Sequence, residues 1–358
     1  MSNNCNFEQC IHEFLAFQHV YSNIKWTEGV YNRSYDEYTE CPRNNLVSNG
    51  KEAVDNLFKL KNKLFKNYKH DEVGILISSG IDSATIAKLM PENSYAFYAT
   101  YVERDIDPEI EIVKKYCKIN NLNLVVVNIS WNDYISNMDY LMKVKKNPIH
   151  PCEIPVYMCC LKAKELNIKL LTSGWGADTH FGGMDKLISK DWNFDDFKKR
   201  YEYCPRINKN NTLLDKTYDK FINKNGIVDI QKFLTFNYHI MTIKSFFYIP
   251  ELCGLIHLPL WGYLGINGNL NLDRIRNGEP KYVIREAFKL LYKDDNVDLT
   301  NKIPFTRPTD IYMKKYFNDY DYFDTLKEYI ENNNNLSSQQ KWMIYCLNRF
   351  IKNVLNYN

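Results

Sequence analysis

The chain has 358 residues, 45% apolar and 25% charged, an ordinary globular balance with room for a sizeable core and no need of a disulfide framework. A formal net charge of +3 is too small to argue for nucleic acid as a partner. The apolar runs fall short of the roughly 20 residues that cross a bilayer, and Met1–Cys10 has no secretory apolar region, so a cytoplasmic protein with no membrane contact is expected.

Residues 51–67 read as a helix, with Val54, Leu57, Phe58, Leu64 and Phe65 recurring on one face. Val73 to Ile77 is an apolar run suited to a buried parallel strand. It ends in Ser78-Ser79-Gly80-Ile81-Asp82-Ser83, and Ala84 to Met90 reads as a helix. The alternation repeats: strand 94–101, helix 108–120, strand 122–129, helix 155–166, strand 168–172. Such a sequence predicts an α/β fold with a parallel sheet covered by helices on both faces and ligands at the carboxyl ends of the strands. After residue 190 strand signals fade and helix patterns dominate, most clearly at 281–292 and 337–355, the latter opened by a Ser337/Gln340 capping box. The expected organisation is an N-terminal segment 1–70, a sheet core of about 71–190 and a helical part of about 191–358. The ten cysteines form no Cys-x-x-Cys pair and read as free, mostly buried thiols in a reducing compartment.

Two loops carry the chemistry. Ser78 to Ser83 lies between a strand and a helix, where small residues expose backbone N–H groups and form an anion cradle with the helix N-terminus. Asp82 would repel a bare phosphate, which implies a magnesium ion between them. The plainer alternative is a tight turn with Ser and Asp as caps. The second loop, Ser173 to Gly183, contains four glycines, which let the backbone approach a ligand. It carries Asp178 at the end of another strand, and two carboxylates from separate strands together with phosphate oxygens suit magnesium. The two are expected on the same side of the sheet, close enough to share one ion.

Ser78 to Ser83 resembles the pyrophosphate loop of N-type ATP-pyrophosphatases, Ser-Gly-Gly-x-Asp-Ser. Ser173 to Gly183 resembles the Ser-Gly-Glu-Gly-Ala-Asp-Glu-x-x-Gly-Gly segment of asparagine synthetases and the related β-lactam synthetases. Fainter similarities are Gly278, Lys281 and Arg285 to a Gly-Lys-x-x-x-Arg stretch, and Lys302 with Phe305 to the family's catalytic Lys-x-x-Phe. Glu13 to Phe17 and Trp26 to Tyr31 are similar to the start of the synthetase half. The resemblance implies an adenine nucleotide α-hydrolase-like fold, ATP and Mg2+ as cofactors, and ATP or pyrophosphate contacts from Ser78, Ser79, Gly80, Ile81, Asp82, Ser83, Ala99 and Gly174. Asp82 and Asp178 would hold the metal, with Lys302 catalytic.

The activity implied is formation of an acyl-adenylate from a carboxylate, with release of pyrophosphate, followed by transfer to ammonia or a small amine. Trp175 stands where asparagine synthetases have Glu and β-lactam synthetases have Tyr, and Thr179 replaces the second Glu. His257 to Gly262 replaces Arg-Val-Pro-Phe-Leu-Asp. Trp175 cannot be a general base and is expected to wall the acceptor pocket with Gly176, Thr179, His180 and Glu153, the last two being candidates for proton transfer. No glutaminase domain or N-terminal cysteine nucleophile is visible, so hydrolysis of glutamine by this chain is not expected and a separate ammonia-supplying or biosynthetic protein is a possible partner. Intramolecular amide closure and a nucleotide-binding or assembly role without catalysis are the alternatives. A tRNA-thiolating role would need a reactive cysteine pair and a basic face, and neither is evident.

Overall fold

A computed structural model describes residues 6–20, 24–28, 30–31, 45–208, 210–234, 246–295, 297 and 309–357. In chain order its leading elements are α1 (Phe7–Phe17), β1 (Lys25–Thr27), β2 (Val30–Tyr31), β3 (Asn45–Val47), α2 (Gly50–Phe65), β4 (Val73–Leu76) and α3 (Ile81–Ala87). They are followed by β5 (Tyr95–Tyr101), α4 (Ile110–Ile119), β6 (Asn123–Ile129), α5 (Trp131–Lys145), α6 (Glu153–Glu165), β7 (Leu170–Ser173) and α7 (Ala177–His180). Later come β8 (Ile256–His257), β9 (Leu264–Ile266) and, among several further helices, Tyr282–Leu291 and Ser338–Asn353.

The main sheet has strand order β6-β5-β4-β7-β8 and is parallel throughout. Its strands alternate their side chains between two cores, as the pleat requires. Val73, Ile75, Ala96, Tyr98 and Leu170 enter one core, with residues of α2, α3, α4 and the helix Tyr282–Leu291. Phe97, Tyr101 and Leu171 enter the other, with α5, α6, most of α1 and the helix Ser338–Asn353. This is the two-faced parallel sheet that the apolar runs predict. Its fifth strand, β8, comes from beyond residue 190, so the chain returns to the sheet after the helical stretch. A second, small pair joins β3 to β9 in parallel and ties the N-terminal segment to the later part of the chain.

β4 and β7 are neighbours whose onward connections leave in opposite directions, β4 toward β5 and β7 toward β8. A crevice opens at the carboxyl ends of such a pair, and ligands of open α/β sheets bind there. The two loops singled out in the sequence leave these two strands. The helix Tyr282–Leu291 packs beside them and is tied to α2 through Glu286, whose Oε2 accepts from the Gly50 N–H at 2.8 Å. The Ser337/Gln340 capping box is present as read, with Gln340 N donating to Ser337 Oγ at 3.3 Å and Ser337 N to Gln340 Oε1 at 2.8 Å. Among the described cysteines Cys10, Cys117, Cys159, Cys160, Cys204, Cys253 and Cys346 are buried, and Cys152 is partly exposed. No helix among the described residues is long and apolar enough to cross a membrane.

Candidate active site

After β4 the chain turns through Ser78, Ser79 and Gly80 into α3. The turn is closed by its own hydroxyls. Ser83 Oγ accepts from Ser78 N at 3.0 Å and faces the Ser78 and Gly80 carbonyls, each at 3.1 Å. Gly80 N donates to Ser78 Oγ at 3.2 Å. Ser79, which stands where the resembled loop has glycine, is held differently: its Oγ donates to Glu109 Oε2 at 2.6 Å. Glu109 is buried at the start of α4, so a residue outside the motif fixes the middle of the loop. Ala99 lies on β5, paired with Val127 and two residues beyond Phe97, whose carbonyl accepts from Ile77 N as the loop begins.

The loop after β7 packs directly on the first. A Cβ on Gly174 would lie 2.8 Å from Ser83 N and 2.9 Å from the Asp82 carbonyl carbon, so only glycine permits this approach. Trp261 supports the junction by donating its indole N–H to the Asp82 carbonyl at 3.2 Å. α7 then presents Asp178 toward Asp82, and the two carboxylates meet on one cation. Lys281 Nζ lies 2.5 Å from Asp82 Oδ2 and 2.7 Å from Asp178 Oδ1. Lys281 is buried at the N-cap of the helix Tyr282–Leu291, with a left-handed backbone at φ 56°. Burial alone would lower its pKa. The carboxylates of Asp82 and Asp178 outweigh burial and hold the ammonium well above its ordinary value.

Gly183 leaves room for this cluster: a Cβ there would lie 2.1 Å from Asp178 Oδ1 and 2.3 Å from Lys281 Cε. Gly183→Ala is therefore expected to force the carboxylate and the lysine apart. A displacement of about 1 Å costs on the order of 100-fold in rate when the groups act in catalysis. ATP–pyrophosphate exchange beside a thermal melt tests this, and unchanged exchange would show that the spacing is not used.

Trp175 lies on the far side of Gly174 among aromatic rings, with centroids 5.1 Å from Phe246, 5.2 Å from Phe247 and 4.7 Å from His257. His257 Nε2 lies 3.0 Å from Ser173 Oγ. Burial pushes the His257 imidazole down from 6.5 to about 3, so it is neutral at ordinary pH. The unfolded chain takes up this proton near 6.5 and the folded chain only near 3. The stability contributed is thus complete above 6.5 and is lost as pH falls toward 3. His257→Gln should flatten the acid limb of urea-unfolding stability in that window by at most about 1.4 kcal/mol per pH unit. Parallel acid limbs for variant and wild type would contradict it.

Other candidates lie elsewhere. Thr179 Oγ1 donates to the Gly176 carbonyl at 3.2 Å, and His180 Nδ1 lies 3.2 Å from the Leu264 carbonyl. Both line a cavity of about 330 Å³ with Leu46, Gln231 and Leu270, and neither Asp82 nor Asp178 is in its wall. Glu153 is fully buried at the start of α6, 2.5 Å from Lys145 Nζ. It also accepts from His150 N and Tyr248 Oη, each at 2.7 Å. Burial raises its pKa while Lys145 pulls the other way. Lys302 and Phe305 lie outside the described residues. Sequence reasoning did not assign roles to Lys281, Glu109 or His257. The Gly-Lys-x-x-x-Arg similarity was the available signal for Lys281, and nothing local marks Glu109.

The donor set fits magnesium. Asp82 and Asp178 offer hard oxygens that already share one cation, the ammonium of Lys281. No group of three or more His, Cys, Asp or Glu that could hold a metal occurs among the described residues. Water and phosphate oxygens would complete the shell, as is usual for this ion.

Residues 68–231 match the model of the asparagine synthase family. A stretch of 133 residues is 35% identical to a glutamine-hydrolysing asparagine synthetase, provisionally so named, of Methanocaldococcus jannaschii. That stretch is 35% of this chain and 24% of the relative, so the match spans about a quarter of the relative's length. Among solved structures, an NH3-dependent NAD synthetase of Campylobacter jejuni aligns at 14% identity over 55% of this chain and 96% of its own, with a TM-score of 0.30. An NMN synthetase of Francisella tularensis aligns at 12% identity over 72% and 100%, with a TM-score of 0.27.

Proposed function

We propose that this chain, whose residues 68–231 match the model of the asparagine synthase family, joins a carboxylate to ammonia or a small amine at the expense of ATP. The observation that carries the reading is the convergence of Asp82 and Asp178, from the ends of two adjacent strands, beside the Ser78–Ser83 loop. In the first step a substrate carboxylate oxygen bonds to the α-phosphorus of ATP and the bond to the bridging oxygen breaks, giving an acyl-adenylate and pyrophosphate. In the second an amine nitrogen bonds to the acyl carbon, AMP leaves, and the nitrogen gives up a proton.

The residues divide the work. The Ser78–Ser83 loop holds the leaving pyrophosphate, its N–H and hydroxyl donors exchanging their contacts within the turn for phosphate oxygens. Asp82 and Asp178 hold magnesium, which when bound offsets the charge of the leaving group. Lys302 acts as a point cation toward the α-phosphorus. Trp175, Phe247 and neutral His257 form an apolar wall that excludes water from the acyl group and favours an uncharged amine over an ammonium ion.

The test is exchange of labelled pyrophosphate into ATP across a panel of carboxylates. Exchange that requires one carboxylate, followed by an amide product found by mass, supports the reading. Tight ATP binding with no exchange under any carboxylate would instead favour a nucleotide-binding role without catalysis.

A further inference from the structure

Resting on the reading of Asp82 and Asp178 as the magnesium carboxylates, we propose that Lys281 is a resident counterion. It occupies the metal position in the nucleotide-free protein and gives it up when nucleotide and metal arrive together. Its ammonium lies 2.5 and 2.7 Å from the two carboxylates that would hold the metal. The Asp82 side chain is 19% exposed and that of Asp178 is 40% exposed, so without a cation the two like charges would repel each other at the half-buried head of the crevice.

The placement is specific. Lys281 takes a left-handed backbone that lysine rarely adopts, and only the missing side chain of Gly183 leaves room for its stem. Its backbone is fixed at the head of a packed helix, while four methylenes let the ammonium swing without moving that helix.

The consequence is linkage. A bare divalent ion must expel a buried ammonium that then has no partner, and breaking such a pair is costly. A triphosphate supplies the ammonium with a new anionic partner. Metal and nucleotide therefore bind with positive cooperativity through this one side chain.

The experiment is titration with Mn2+, followed by the electron paramagnetic resonance signal of the free ion, with and without α,β-methylene-ATP. Without nucleotide, wild type should bind Mn2+ at least about ten-fold more weakly than Lys281→Met. The analogue should raise the Mn2+ affinity of wild type well beyond what the analogue binds in solution, and that of Lys281→Met much less. Asp178→Asn in the Lys281→Met background should remove the gain.

Equal nucleotide-free affinities in wild type and Lys281→Met overturn the counterion role. If Mn2+ capture with the analogue still depends on Asp178 in that case, the metal reading survives alone. If Mn2+ binding depends on neither Asp82 nor Asp178 under any condition, both fall. Should the methionine variant not fold, Lys281→Gly suits the left-handed backbone and allows the same comparison. Its thermal midpoint should rise with Mn2+ by more than that of wild type, and an equal rise overturns the proposal.

Discussion

Asp178→Asn is expected to slow ATP–pyrophosphate exchange by about 100- to 1000-fold, the usual loss when one electrostatic contact to developing charge is removed. Asparagine keeps the shape of the side chain and can still accept a hydrogen bond from Lys281, so the local structure should survive. What is lost is one of two negative charges that hold the metal against the leaving pyrophosphate. The Asp178 side chain is 40% exposed, so the stability cost should be small. The check is exchange with a carboxylate that wild type activates, at saturating magnesium and ATP, beside a urea melt. Exchange near the wild-type rate would mean that the convergence of Asp82 and Asp178 serves the fold alone.

Glu153→Ala should be strongly destabilising. Its carboxylate and Lys145 are 0% and 5% exposed, and Tyr248 and the His150 N–H also donate to it. Deletion leaves Lys145 charged and unpaired in the core, which costs about 3–5 kcal/mol. The measurement is the urea midpoint under reducing conditions, with exchange activity normalised to folded protein. A stability loss with normal activity per folded molecule assigns Glu153 to the scaffold. Reduced activity at unchanged stability would restore it as a proton acceptor.

The sequence was most informative where chemistry and local pattern coincide. Val73–Ile77 is a run suited to a strand buried on both faces and forms β4 at nearly the expected limits, whereas Leu124–Val127 lies in β6, an edge strand whose side chains there are part-buried or exposed. Ser78–Ser83 and Ser173–Gly183 are legible because tight turns and close approaches restrict residue type at consecutive positions. β8 was missed because two residues cannot display a period. α5 went unmarked although Ser130 and Asp133 form a capping box there, since lysines and asparagines dilute its apolar stripe of Trp131, Tyr134, Met138 and Leu141. The partners of the site could not be read locally. Lys281 reaches Asp82 across 199 positions and Glu109 reaches Ser79 across 30, and only the folded chain brings them together.

The pairing of β3 with β9 has a further consequence for how the protein comes into being. Residues 45–47 must wait for 264–266 before their backbone bonds can form. Leu264 at the head of β9 also faces His180 of α7, so the element bearing Asp178 is braced only after that pairing. During synthesis at about 5–20 residues per second, the wait is roughly 10–45 s. A nascent chain can complete the strands β4, β5 and β6 well before then, yet it has no finished catalytic crevice. An unpaired β3 is meanwhile open to wrong partners, and that interval is when a chaperone would bind this chain to most effect.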